Sequence, residues 1–126
     1  MLLDTEVFIW ASMQPEKLSR TALKVCESAS YQLLVSIASI WEILIKTQKG
    51  KLLIDNPRDW FNINVQRLNA TVVPIRLRDV YAMANLPELH RDPFDRMIMA
   101  QTVTDRIPLI SCDRMIRQYP IFACVW

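Results

Sequence analysis

Four acids stand where apolar elements should end or pack. Asp4 closes the opening run Met1-Leu2-Leu3, and Asp113 closes the late run Pro108-Leu109-Ile110-Ser111-Cys112. Between them, Glu42 sits in an apolar helical stretch, and Asp95 follows the turn-like Arg91-Asp92-Pro93-Phe94. A core gains nothing from carboxylates at such points. If they converge, two charges ~4 Å apart repel by on the order of 4 kcal/mol at an effective dielectric suited to a protein surface. A divalent cation held by oxygen ligands is the usual way to offset that cost.

Each acid also has a structural reading. Asp4 and Asp113 can cap the helices that follow them, and capping does not exclude ligation. Glu42 and Lys46 stand at i and i+4, a common stabilising pair, so periodicity alone leaves Glu42 between site and surface. Asp92 reads as the N-cap of a helix opened by Pro93. Asp95 falls at the third helical position, where the helix dipole favours an acid. The cap reading accounts for Asp92 fully and for Asp95 less well, because Asp95 leads into Met97, Ile98 and Ala100. Glu6 is either a solvated first-turn acid or an outer group of the same cluster. His90 is the sole histidine, so a two-histidine zinc pair is excluded, and it reads as a loop residue.

The elements that position these acids alternate. Leu2 to Asp4 reads as a strand and Thr5 to Ser12 as a helix. Ser19 caps a helix to about Ser30, and Tyr31 to Val35 is a second strand. Ser36 caps a helix to about Lys49 that would bury Ile37, Ile40, Trp41, Leu44 and Ile45. Gly50, the only glycine, is that helix's C-terminal cap, and its isolation excludes glycine-rich phosphate loops. Asn56-Pro57 starts a helix carrying Trp60, Phe61, Ile63 and Leu68. Thr71 to Ile75 is a strand, Leu77 to Asn85 a helix, and Asp92-Pro93 begins a helix to about Asp105. Leu109 to Cys112 is a strand, Arg114 to Tyr119 a short helix, and Phe122 to Val125 a last strand.

Short continuous apolar strands between helices indicate an α/β fold with a mainly parallel sheet covered on both faces. In such sheets, sites form at the carboxyl ends of strands near a topological switch point, and Asp4 and Asp113 both occupy strand ends. The 126 residues are expected to form one domain, 1–126, with 52% hydrophobic residues to fill its core. A net charge of +2 does not by itself indicate a nucleic-acid partner. Cys26, Cys112 and Cys124 form no C-x-x-C pair and read as buried free thiols, which fits a cytoplasmic, reducing compartment. No secretory signal and no membrane span are expected.

Four segments in order, "LLDTEVFIWA", "VSIASIWEILIKTQKGKL", "LPELHRDPFDRMIMAQ" and "PLISCD", resemble the PIN-domain ribonucleases, and more narrowly the VapC-type toxins of bacterial toxin–antitoxin pairs. The resemblance spans essentially the whole chain. It implies a three-layer α/β/α domain with about five parallel strands and acids at the carboxyl edge. The family's acids fall on Asp4, Glu42, Asp95 and Asp113, which raises Glu42 into the site and leaves Asp92 as a cap. Ser111 matches a small hydroxyl residue found near the last acid. One departure is visible: Glu6 stands where many relatives have His.

The resemblance implies a Mg²⁺- or Mn²⁺-dependent endoribonuclease that cuts transfer- or ribosomal-RNA loops with a metal-activated water. It also implies a cognate antitoxin as partner, and homodimerisation is consistent with it. Arg96 and Arg114 adjoin proposed ligands and, with Ser111, are candidates to contact the RNA substrate. Two other classes compete: a catalytically silent module whose acid pocket docks a basic partner, and a metal-dependent phosphatase. The intact set of four acids argues against the first. Asp4-Thr5-Glu6 lacks the Asp-x-Asp that a haloacid-dehalogenase-type phosphatase would want.

Overall fold

The first two strands of this chain end because a polar residue caps a helix directly behind each of them. The computed structural model describes residues 1–88 and 90–126, so Leu89 of the "LPELHRDPFDRMIMAQ" segment lies outside the described residues. β1 (Leu2–Leu3) stops at Asp4, whose Oδ1 accepts from the Glu6 amide at 2.7 Å and starts α1 (Thr5–Met13). Ser19 accepts from the Ala22 amide at 3.1 Å and caps α2 (Arg20–Glu27). β2 (Leu33–Ser36) ends on Ser36, which caps α3 (Ile37–Gln48) through the Ala38 amide at 3.0 Å. Asn56 caps α4 (Pro57–Arg67). β3 (Ala70–Val73) and α5 (Leu77–Ala84) follow, then α6 (Pro93–Asp105), whose cap Asp92 accepts from the Phe94 and Asp95 amides. β4 (Leu109–Ile110) and β5 (Cys124–Val125) complete the sheet. The short helix expected over Arg114 to Tyr119 is a 3-10 turn at Ile116–Gln118.

The five strands are all parallel, in the order β3-β2-β1-β4-β5. Leu2 pairs with Leu34 on one side and Leu109 on the other; Leu3 pairs with Val35 and Ile110. The chain builds outward from β1 to β3, then returns to place β4 beside β1. The topological switch point therefore lies between β1 and β4, with Asp4 and Asp113 beyond their carboxyl ends. Successive strand residues face opposite layers. Leu3, Leu33, Val35 and Ile110 join a core with α1, α2 and Phe61 of α4, whereas Leu2, Leu34 and Leu109 pack with Ile98, Met99 and Ala100 of α6. The sheet is thus the middle of three layers.

Gly50 terminates α3 as expected. Its φ is +66°, and the Lys51 amide reaches the Lys46 carbonyl at 2.8 Å while the Gly50 amide reaches Thr47 at 3.0 Å, the bonding of a Schellman motif. The face that α3 buries differs from the expected one. Ala38, Ser39, Glu42 and Ile43 point inward, while Ile37, Leu44 and Trp41 (58% exposed) point out. Thr5 Oγ1 donates to Ser39 Oγ at 3.2 Å in the buried contact of α1 with α3, which sets this rotation and turns Glu42 toward Asp4. Ile63 of α4 is likewise exposed, with Asn64 buried in its place. The three cysteines are free and partly buried, and no helix among the described residues is long and apolar enough to cross a membrane.

One ionic cluster ties α5 to α6. Asp79 is fully buried and accepts from Arg76 Nε at 3.0 Å, the Arg76 amide at 2.8 Å and Thr104 Oγ1 at 2.6 Å; Arg76 also reaches Asp105 at 2.6 Å. Removing one partner from an enclosed pair costs about 3–5 kcal/mol, because the other charge is left stranded. The Arg76 side chain is 35% exposed, so solvent screens part of that effect. Arg76→Ala is expected to lower stability by about 2 kcal/mol, read as a lower urea midpoint at unchanged m-value.

Candidate active site

Strand ends and helix starts bring the acids to one rim. Asp4 is buried, and Ser111 Oγ donates to its Oδ2. Ser111 is itself fully buried and accepts from the Asp113 amide at 3.1 Å, so one hydroxyl joins the acids that follow β1 and β4. Asp113 divides its carboxylate. Oδ1 accepts from the Met115 and Ile116 amides at 2.6 and 3.3 Å, and Oδ2 faces His90 Nε2 at 3.3 Å. Asp95, on the first turn of α6, turns its Oδ2 to the same Nε2, also at 3.3 Å. Ligand atoms of His90, Asp95 and Asp113 all lie within 4.8 Å of one another. Glu42 reaches the cluster from α3. Its Oε1 pairs with Lys46 Nζ at 2.7 Å, and its Oε2 is buried with no hydrogen-bond partner among the described residues.

The electrostatics record this crowding. Burial pushes Asp95 up to about 8, and the charges of Asp4, Asp92, Glu42 and Asp113 add to the rise. Burial also pushes Asp4 up to about 6; hydrogen bonds from Ser111 and the Glu6 and Val7 amides restrain the shift, and the Glu42 charge adds to it. For Asp113, burial raises the pKa, but the Met115 amide, the His90 ring and the Ile116 amide together outweigh it and hold the carboxyl below its ordinary range. Asp95 and Asp113 face one imidazole but titrate in opposite directions, because two backbone donors support Asp113.

These residues fit a hard divalent cation. The donors are carboxylate oxygens, the buried second oxygen of Glu42 has no partner among the described residues, and burial and mutual repulsion raise the pKa values of Asp4 and Asp95, a cost that a cation would relieve. Lys46 offsets part of the negative charge, lying 2.7 Å from Glu42 and 3.8 Å from Glu6. Glu6 therefore stands at the rim beside Lys46, at the edge of the cluster.

Two residues expected to touch substrate are otherwise engaged. Ser111 is enclosed between Asp4 and Asp113. Arg96 spends its four terminal N–H groups on carbonyls, with Nη1 donating to Pro87 and His90 at 2.9 and 3.2 Å and Nη2 to Met83 and Leu86, both at 3.0 Å. Both shape the site from behind. Arg114 is exposed next to Asp113, as are Arg117 and Arg91. His90, read from sequence as a loop residue, is half-buried in the middle of the cluster. Its signal was weak: one histidine two residues ahead of a helix cap, where the loop turns back over the helix it precedes.

The PIN domain family model matches residues 1–121. No curated protein matches the chain. Among solved structures, VapBC2 from Rickettsia felis bound to a DNA fragment from its promoter is 12% identical, with a TM-score of 0.71, covering 98% of this chain and 96% of that one. A toxin–antitoxin complex from Klebsiella pneumoniae is 17% identical, with a TM-score of 0.65 and coverage of 99% and 95%. DNA-bound VapBC from Salmonella typhimurium is 12% identical, with a TM-score of 0.67 and coverage of 98% and 95%. At these identities the shared feature is the fold.

Proposed function

Because the chain belongs to the PIN domain family, we propose that it is a metal-dependent endoribonuclease, folded as one domain over residues 1–126, and the toxin member of a toxin–antitoxin pair. The observation that carries this reading is the convergence of Asp4, Glu42, Asp95 and Asp113 at the switch point, crowded enough to keep a proton on Asp95 up to about pH 8. These four carboxylates would hold Mg²⁺ or Mn²⁺, directly or through water. When bound, such an ion lowers the pKa of a coordinated water and stabilises charge on the scissile phosphate.

The chain's own residues do the rest. Ser111 fixes the orientation of Asp4 against Asp113. Glu42, held through one oxygen by Lys46, keeps its second oxygen free to orient or accept a proton from the attacking water. Arg114, exposed beside Asp113, is placed to meet the RNA backbone, and single-stranded loops of transfer or ribosomal RNA are the accessible substrates.

A protein partner is supported by the exposed stripe Ile37, Trp41 and Leu44 on α3, an apolar surface of the kind that another chain covers. The similar solved structures are complexes with antitoxins, and we assign this chain a cognate antitoxin on that analogy. A second copy of the chain is the other occupant this surface admits. Free thiols and the antitoxin reading agree with a cytoplasmic location.

The test is direct. Purified protein is expected to cut structured RNA with Mg²⁺ or Mn²⁺ and to stop when EDTA is added. Phosphate release from small phosphomonoesters without RNA cleavage would replace the nuclease with a phosphatase. Metal binding with neither activity would leave the silent docking module.

A further inference from the structure

We propose that His90 is a positioning residue: its Nε2–H, hydrogen-bonded to Asp113 and set against Asp95, fixes the spacing and orientation of the two carboxylates that receive the metal ion. This inference rests on the metal-dependent reading above.

The tautomer follows from the hydrogen bonds. The Asp92 amide N–H points at His90 Nδ1 at 3.2 Å, so Nδ1 accepts and the ring proton resides on Nε2. That proton faces Asp95 Oδ2 and Asp113 Oδ2, each at 3.3 Å. The contact with Asp113 has the geometry of a hydrogen bond, and Asp95 stands beside it at the same distance as a close electrostatic neighbour of the ring. Neither ring nitrogen then offers a lone pair to a cation. The carboxylates keep lone pairs for it, and His90 acts on them from outside.

The ring is held for this task. Its backbone amide donates to Tyr119 Oη at 2.8 Å, and Tyr119, which is buried, donates in turn to the Pro87 carbonyl at 2.8 Å. Arg96 grips the carbonyls of Met83, Leu86, Pro87 and His90 from the second turn of α6. Asp92 caps α6 with its side chain while its amide holds Nδ1. The segment that carries His90 is therefore pinned to the helix that carries Asp95 by contacts that do not involve the imidazole's Nε2. Replacing the side chain removes the donor to Asp113 and the contact with Asp95 and leaves those anchors in place.

The experiment measures Mn²⁺ affinity by the free-ion electron paramagnetic resonance signal in the parent, His90→Ala, His90→Gln and Asp95→Asn proteins. Thermal melts of the same samples serve as the fold control. Outer hydrogen bonds to ligating groups change metal affinity about 10–100-fold, and His90→Ala is expected to weaken Mn²⁺ by that factor. His90→Gln places an amide N–H near the Nε2 position and is expected to restore affinity to within a few-fold of the parent. The bound-Mn²⁺ spectrum of the parent should show no directly coordinated nitrogen, and the chain's single histidine makes that signature unambiguous.

Parent-like affinity in His90→Ala overturns the proposal, as does a gain in affinity. Equal losses in His90→Ala and His90→Gln, with nitrogen coupling in the parent, make His90 a ligand and overturn it too. If His90→Ala melts early, the His90→Gln arm still decides. A parent protein that takes up no Mn²⁺ overturns the metal-dependent reading and this inference together. A parent that binds Mn²⁺ through Asp95 but ignores His90 overturns the inference alone.

Discussion

Asp95→Asn is expected to abolish the proposed RNA cleavage and at the same time to make the metal-free protein more stable. The loss of activity is expected to be about 10²–10³-fold, the scale on which removing one preorganised electrostatic element slows an enzyme. The gain in stability follows from linkage. In the unfolded chain Asp95 loses its proton near 3.8, whereas in the folded chain it keeps the proton up to about 8. The folded state therefore binds more protons between those limits, and stability falls as pH rises through the window. Asp4 adds a narrower contribution of the same sign, from 3.8 to about 6. Asparagine has no proton to lose, so the variant escapes the Asp95 part of this loss. One pKa unit corresponds to 1.36 kcal/mol, and the full effect at pH 8.5 is on the order of a few kcal/mol after loss of the acid's favourable place at the α6 N-terminus. Melting curves from pH 5 to 9 should fall for the parent and run flatter for Asp95→Asn, with the variant higher by several degrees at the alkaline end.

The second large effect couples the same proton to the cation. At pH 7 Asp95 is still mostly protonated, and a divalent ion displaces that proton when it binds. Titration calorimetry in buffers of differing ionisation enthalpy should report close to one proton released per binding event at pH 6.5 to 7, falling toward zero above pH 8. Apparent Mn²⁺ affinity should rise about tenfold per pH unit over that range and then level off. Cleavage rate at subsaturating metal should follow the same curve. A pH-independent affinity would place the cation away from Asp95.

Much of this site was legible because backbone chemistry and site chemistry coincide. Asp4 and Asp113 end apolar runs and cap the following turns, and the same placement puts them on one rim of a parallel sheet. Asp92 was legible as the cap of α6, which its bonds to the Phe94 and Asp95 amides show, while spacing explained Asp95 less well and the resemblance pointed to it as a site residue. Glu42 was not legible from periodicity. The strongest apolar stripe of its helix, Ile37, Trp41 and Leu44, faces solvent, so the usual assumption that the apolar face is the core face assigns Glu42 the wrong side. A solvent-facing apolar stripe has the same pattern as a core, and only the family resemblance pointed Glu42 toward the site.

His90 does lie in a loop, and Arg96 beside an acid, but the partners they find there were not legible. Composition marks a lone histidine as loop and an arginine beside an acid as a phosphate contact. It cannot show a loop folding back so that four carbonyls claim the guanidinium and two carboxylates claim the imidazole. The strands were also read as longer than they are. Leu2–Leu3, Leu109–Ile110 and Cys124–Val125 are two-residue ladders; a helix begins directly after the first, and the second gives way to the turn that Asp113 caps.

If these acids form one cation site, anomalous diffraction from Mn²⁺-soaked crystals should show a peak among the carboxylates of Asp4, Glu42, Asp95 and Asp113, in coordination range of Asp95 and Asp113 and lost in Asp95→Asn. A fully occupied peak elsewhere on the protein, or none at this rim at saturating Mn²⁺ and pH 8, would contradict it.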